Sequence, residues 1–312
     1  MTAAPLVVVG DVLLDRDLAG RSRRLSPDAA VPVVDGVVER VRPGGAGLAA
    51  LLAARDGRDV ILVTALGHDD GADLLRDLLA PELTLVALPW TGRTAQKVRV
   101  QADGQPLLRV DFGDEGGHVG ALTGPARRAI ATAGVVLVAD YGRGVTARPD
   151  LRAALAAAAG TVPVVWDPHP RGSAPVPGVT LATPNLAEAR GFAAGSPPDE
   201  DGAARWCAAT LRHAWSARAI AVTLGRRGAL LDTANGAPLL LPPPAACHGD
   251  PCGAGDRFSA AVAGALSDGE PLVGAVRHAV AAAARYVADG GPASLHTPSR
   301  PASVLAPARS VS

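Results

Sequence analysis

The chain has almost no lysine. Of its 30 basic residues all but Lys97 are Arg, and Asn occurs only at Asn185 and Asn235. Such scarcity looks like coding bias towards Ala, Arg, Gly and Pro, and a residue type that survives once or twice against that drift is a better functional candidate than usual. With no Gly-Lys pair anywhere, a P-loop is excluded; no H-E-x-x-H string or cluster of metal ligands is present either. The formal net charge is +0, so neither a nucleic acid nor a membrane surface is implied as a partner. Three cysteines, Cys207, Cys247 and Cys252, are odd in number and form no C-x-x-C pair, which argues against a disulfide or zinc framework and suits a reducing cytoplasm. No apolar run approaches membrane-spanning length, and the N-terminus enters a strand-like run with no targeting segment before it.

What the sequence does have is enough apolar material, 48% of 312 residues, to bury a substantial core. Short Val-rich runs alternate with Ala/Leu-rich helical stretches, the pattern of a single α/β domain. The most informative string is HGDPCGAGDRFSAA, His248 to Ala261, a Gly- and Pro-bounded loop running into an apolar helix. Gly253, Ala254 and Gly255 leave backbone N–H groups uncovered at a helix N-terminus, where the helix dipole favours an anion. Asp256 then sets a carboxylate at the mouth of a site built for negative charge, an arrangement suited to taking a proton from a hydroxyl. Equally, Asp256 caps the helix and the glycines permit a turn; the loop alone does not choose between these.

In chain order, the strand-like run Leu6 to Val9 delivers Asp11 and Asp15 to its carboxyl end, the side of an open α/β sheet where ligands bind. Val31 to Arg42 has Pro and Gly punctuation and alternating character, and reads as half of a lid standing off the main sheet. Gly44 and Gly45 precede a helix and allow backbone to approach a ligand closely. Gly45, Gly47 and Ala50 also match a G-x-G-x-x-A dinucleotide spacing, with Asp69 and Asp70 about twenty residues on, although Pro43 interrupts the strand that fingerprint needs. Around Ala102 to Gln105 two alternating runs form a hairpin, the other half of the lid. It carries Lys97, Arg99 and Arg109, with Lys97 and Arg99 on one face. Val135 to Ala139 delivers Asp140, Tyr141 and Arg143, and Val162 to Trp166 leads into Asp167 and His169. In TPNLAE, Asn185 and Glu188 stand three apart on one helical face, with capping by Asn185 as the alternative. Ala219 to Leu224 is a late strand containing Thr223, followed by Gly225 and Gly228 in LGRRG.

The loop string resembles the D-T-x-G-A-G-D signature of ribokinase-like (PfkB) sugar kinases, with Pro251 in place of Thr. GDVLLDR, LSPDAAVPVV, RPGGAG, TAQKVRV, LLRVDF, VADYGRG, VPVVWDP and TPNLAE are similar, in this order, to the D-glycero-D-manno-heptose-7-phosphate kinases of ADP-heptose synthesis, from about residue 6 to 290. The resemblance implies a three-layer α/β/α sandwich with a mostly parallel central sheet, occupying 1–297, with lid strands at about 16–43 and 93–112 and a mobile tail over 298–312. It implies that Gly253, Ala254 and Gly255 form the anion hole and Asp256 is the base. Asp11, Asp15, Gly44, Gly45, Lys97, Arg99, Arg109, Asp140 and His169 are implied to meet a sugar phosphate, Asn185, Thr223, Gly225 and Gly228 to meet ATP, and Glu188 with Asn185 to organise water around Mg²⁺. A cytidylyltransferase-like domain follows in bifunctional relatives, so the expectation is a stand-alone kinase; exposed lid edges suggest a homodimer. Four departures stand out: Pro251, His169 for a family Lys, Leu48 for an Asn that holds sugar, and Arg257 for a small hydroxyl residue. They leave a different sugar phosphate open, beside a non-catalytic sugar-phosphate sensor and a dinucleotide oxidoreductase.

Overall fold

Leu6 and Val8 of the first strand are buried in one apolar cluster, and Val7 and Val9 in another. A strand buried on both faces needs a layer on each side. The computed structural model describes residues 4–113, 116–195, 202–295 and 299–301. Its elements in chain order are β1 (Leu6–Gly10), β2 (Val12–Leu25), β3 (Pro32–Gly45), α1 (Ala46–Arg55), β4 (Val60–Ala65), α2 (Asp70–Leu79) and β5 (Thr84–Leu88). Then come β6 (Gln96–Ala102), β7 (Gln105–Phe112), α3 (Gly124–Ala131), β8 (Val135–Ala139), α4 (Pro149–Ala159), β9 (Val164–Asp167), β10 (Leu181–Ala182) and α5 (Leu186–Phe192). The last are α6 (Ala203–Ala214), β11 (Ala219–Thr223), β12 (Ala229–Thr233), β13 (Leu239–Leu241), α7 (Ala254–Ser267), α8 (Leu272–Ala288) and β14 (Ser299–Pro301).

The main sheet has nine strands in the order β13-β12-β11-β10-β9-β8-β1-β4-β5. From β5 to β11 every pairing is parallel, and only the β11/β12 and β12/β13 pairings are antiparallel, so β12 alone runs against the rest. Leu51, Leu75, Val262 and Val276 bring α1, α2, α7 and α8 onto one face. On the other, Ile130, Leu155, Ala189 and Leu211 seat α3, α4, α5 and α6. The result is the expected three-layer sandwich.

The second sheet, β14-β3-β2-β6-β7, is the lid. Asp11 alone separates β1 from β2, so the chain passes from core to lid without a loop, and the lid strands run from Val12 through Gly45 rather than starting near 16. Its β6/β7 hairpin turns on Asp103 and Gly104, with φ of 50° and 78°, the pair of positive dihedrals that a two-residue turn matched to strand twist requires. The root of the lid is buried, whereas Leu25, Val31, Val38, Leu107, Leu108 and Phe112 are exposed. Of the tail expected to be mobile, Ser299–Pro301 pairs with Arg40, Glu39 and Val38 of β3; 298 and 302–312 lie outside the described residues.

The dinucleotide spacing is overturned by this topology. The strand before Gly45 is β3, a lid strand antiparallel to β2, so no parallel β-α-β unit carries the glycines. Asp69 caps α2 through Ala72 N at 2.8 Å and also takes Thr94 N at 2.6 Å.

Candidate active site

Helix α7 enters behind Gly253, whose φ of 77° is the left-handed region that glycine adopts without a Cβ penalty. A Cβ there would stand 2.7 Å from Leu48 Cδ2 and 2.8 Å from Tyr286 Oη. Leu48 and Tyr286 are therefore the floor beneath the turn. Gly253 and Gly255 line the cleft above it together with Asp256. Ala254 departs from the expectation of three outward amides: its N–H donates back to Pro251 O at 3.0 Å, because the tight entry turn needs a bond of its own. Arg257 also points elsewhere, onto Asp56 at 2.5 Å, and so leaves the cleft to its neighbours.

Asp256 is only 6% exposed. Burial pushes its carboxyl up to about 7, opposed by the hydrogen bond from Tyr141, with Asp15 raising it further and Lys97 lowering it. Tyr141 Oη donates to Oδ1 at 2.7 Å. Asp167, at the end of β9, lies in the same cleft; burial first, then the charges of Asp256 and Glu188, hold its carboxyl well above the ordinary range. Thr183 Oγ1 donates to Asp167 at 3.1 Å and stands 3.1 Å from Ser259 Oγ. Sequence reasoning gave neither Tyr141 nor Asp167 a role. The rule that ligands gather at strand carboxyl ends covers both.

On the far side, Asn185 caps α5 and closes a reciprocal box with Glu188. Asn185 N donates to Glu188 Oε2 at 2.9 Å and Glu188 N to Asn185 Oδ1 at 3.0 Å. Both still line the cleft, as does Thr223, whose strand end bridges to Asn185. Gly225 and Gly228 lie beyond it, outside the cleft-lining set; a Cβ on Gly228 would meet Leu241 O at 2.0 Å, so that glycine serves the close approach of β13. Among the described residues no group of three or more His, Cys, Asp or Glu is placed to grip a metal ion directly. Asp167 and Glu188 nevertheless share one cleft with the Asn185 amide, a donor set that fits a cation held through water.

The sugar-side candidates divide into groups already engaged and groups at the cleft. Asp11 accepts Tyr141 N and Arg143 N at 3.0 Å each and Val145 N at 3.1 Å, so it staples the 141–145 loop. Asp140 accepts Gly142 N, Thr146 Oγ1 and Ser173 N at 2.6–3.0 Å. Both are buried, and burial raises their carboxyls. The parallel register sets Asp15 opposite Lys97 and Asp17 opposite Arg99. Arg99 consequently bonds Asp15 at 2.7 Å, and Arg42, which pairs with Asp17, approaches Asp15 at 3.7 Å. Gly44 makes room for that cluster, since a Cβ there would lie 2.5 Å from Asp15 Oδ2. Arg109 is half exposed and closes on Asp111. Lys97 is different: its Nζ lies 5.4 Å from the centre of the Tyr141 ring, and burial lowers its pKa, with Arg109 and Arg143 adding to the effect against Asp15 and Asp111. His169 stacks 6.0 Å from Tyr141, accepts Arg171 N on Nδ1, and is held below its ordinary pKa by burial and then by Arg171 and Lys97.

The geometry has counterparts of known kind. The family model for pfkB family carbohydrate kinases matches residues 3–299. Bifunctional protein HldE of Streptomyces coelicolor is 54% identical over 293 residues, which are 93% of this chain and 62% of that protein. The same-named protein of Azorhizobium caulinodans is 39% identical over 302 residues, again 93% and 62%. The chain thus spans about three fifths of the length of these curated relatives. Among solved structures, Arabidopsis thaliana ribokinase complexed with ribose and ATP aligns with a TM-score of 0.69 at 22% identity, covering 92% of this chain and 93% of that one. Escherichia coli phosphofructokinase-2 in complex with fructose-6-phosphate aligns at 0.69 and 18%, covering 92% and 94%; at these identities the likeness concerns the fold. The chain belongs to the pfkB family of carbohydrate kinases, phosphotransferases that act on an alcohol group.

Proposed function

We propose that this protein transfers the γ-phosphoryl group of ATP to the anomeric hydroxyl of D-glycero-D-manno-heptose 7-phosphate, giving the 1,7-bisphosphate for nucleotide-activated heptose synthesis. The observation that carries the reading is Asp256, buried at the start of α7 beside Gly253 and Gly255, with its carboxyl raised to about 7 by burial. A base with that pKa is partly ionised at neutral pH and still basic enough to accept a proton from a hydroxyl. As the sugar oxygen bonds to the γ-phosphorus, its proton passes to Asp256 and the bond to the β-phosphate bridging oxygen breaks, releasing ADP. The Gly253 and Gly255 turn and the positive end of α7 face the charge on the transferring group.

Mg²⁺ brought in with ATP would be held through water by Glu188, Asn185 and Asp167, and supplies neutralisation of the phosphate charge. On the sugar side, Lys97 meets the phosphate that the substrate already carries, with Arg143 and His169 near it. The heptose assignment is supported by the 54% identity to a Bifunctional protein HldE. A different sugar phosphate is the second reading, and Leu48 favours it: the side chain is buried under Gly253 and offers a sugar no amide. The lid covers the sugar and excludes water. Its exposed Leu25, Val38, Leu108 and Phe112 support a homodimer through the lid strands. The reading places the enzyme in the cytoplasm with ATP and a sugar phosphate as its partners. A panel of sugars and sugar phosphates, assayed for ATP consumption with Mg²⁺, tests it: the heptose 7-phosphate should lead the panel, and a hexose phosphate leading would select the second reading.

A further inference from the structure

The chain has only 2 tyrosines, and Tyr141 makes a direct bond to the residue read above as the base. Several neighbours seat its ring. Asp11 accepts its backbone N–H at 3.0 Å, His169 stacks on it at 6.0 Å, and Lys97 Nζ stands 5.4 Å from the ring centre. Gly45 completes the seat, because a Cβ there would come within 3.2 Å of Tyr141 Cδ2. From this seat the hydroxyl reaches Asp256 Oδ1 at 2.7 Å.

We propose that Tyr141 is a positioning residue for phosphoryl transfer: its hydroxyl holds Oδ1 of Asp256 and reserves the other carboxylate oxygen for the acceptor hydroxyl. The inference rests on the reading of Asp256 as the base. The direction of donation is fixed, since burial and the neighbouring carboxylates of Asp256, Asp167 and Asp15 keep the phenol protonated. A donor on a carboxylate stabilises its charged form, so the same bond extends the working range of the base toward acid. The other groups facing Asp256 are Asp15 from β2, Lys97 from β6, Asp167 from the end of β9 and Tyr286 from α8. None of them bonds its Oδ1 in the structure, and their fields survive removal of the Tyr141 hydroxyl.

Tyr141→Phe keeps the ring near His169 and Lys97 and deletes the bond. The acid limb of the kcat/KM profile for the sugar phosphate should move up by about one pH unit, with roughly a 5-fold loss at pH 7 that is largely recovered in alkaline buffer. Replacing Tyr141 by 3-fluorotyrosine, a stronger donor of the same shape, should move the limb the other way. A loss equal at every pH, or a limb that stays in place in both variants, would overturn the inference. Asp256→Asn measured beside them separates the two claims. If it abolishes turnover while the limb of Tyr141→Phe is unmoved, the Tyr141 inference fails alone; if it retains turnover, the base assignment fails and this inference with it.

Discussion

Asn185 and Glu188 hold each other: each side chain accepts the other's backbone N–H, at 3.0 and 2.9 Å, at the start of a helix whose N-terminus opens on the cleft that Asp256 lines. Capping, and lining of the cleft, belong to one arrangement here. The box fixes the Glu188 carboxylate at the rim, where its charge raises the carboxyl of Asp167.

Glu188→Gln retains an oxygen able to accept Asn185 N while removing the charge. Stability should change by no more than about 0.5 kcal/mol, whereas the Mg²⁺ concentration for half-maximal activity should rise several-fold, with sugar preference unaltered. A superimposable Mg²⁺ titration would remove Glu188 from the site.

Asp256 should destabilise the fold in a pH-dependent way. Its folded pKa of about 7 lies above the ordinary 3.8, so between these values the native state binds more protons than the unfolded chain, and stability falls as pH rises through the window. The full cost, present above pH 7, is of order 4 kcal/mol from the roughly three-unit difference. Asp256→Asn carries no charge and keeps an acceptor for Tyr141. Chemical denaturation should therefore find the variant more stable than its parent at pH 8 and nearly equal to it at pH 4. The same offset at both pH values would show that the carboxyl is not raised.

Much of the frame is legible before any coordinates. The hairpin around Ala102 to Gln105 and the strands at Leu6 to Val9 and Val135 to Ala139 follow from turn chemistry and unbroken apolar runs. The start of the lid was not legible, because β1 and β2 are joined through Asp11 with no loop to mark the change of sheet. Arg99 shares a face with Lys97 as the strand period requires, yet its charge is taken by Asp15 and Asp17 across the β2/β6 register, and single-strand periodicity carries no register information. Tyrosine is almost as scarce as lysine, occurring only at Tyr141 and Tyr286. Tyr141 bonds Asp256, and Tyr286 lies under Gly253; counting tyrosines as well as lysines finds both.

Lys97 tests the substrate class. If its ammonium meets the phosphate already on the sugar, Lys97→Ala should lose one charge-assisted contact, about 1.5–3 kcal/mol or roughly 10- to 150-fold in kcat/KM. An unphosphorylated heptose has no such contact, so its low efficiency should hardly change and the preference for the phosphorylated sugar should shrink by the same factor. Lys97→Arg should rescue only partly, since a planar fork and a point charge do not reach an oxyanion alike. Equal losses on both sugars, or a loss seen in the KM for ATP, would assign Lys97 to the nucleotide or to lid closure.

The account as a whole is tested most directly by phosphorus NMR of the protein incubated with ATP, Mg²⁺ and D-glycero-D-manno-heptose 7-phosphate. The expected spectrum shows ADP growing with a new anomeric phosphate resonance coupled to the proton on C1, while the 7-phosphate signal persists. Asp256→Asn under the same conditions should form that product about 10²- to 10⁴-fold more slowly. A new phosphate ester at any other carbon, or product formed by Asp256→Asn at the parent rate, would contradict the account.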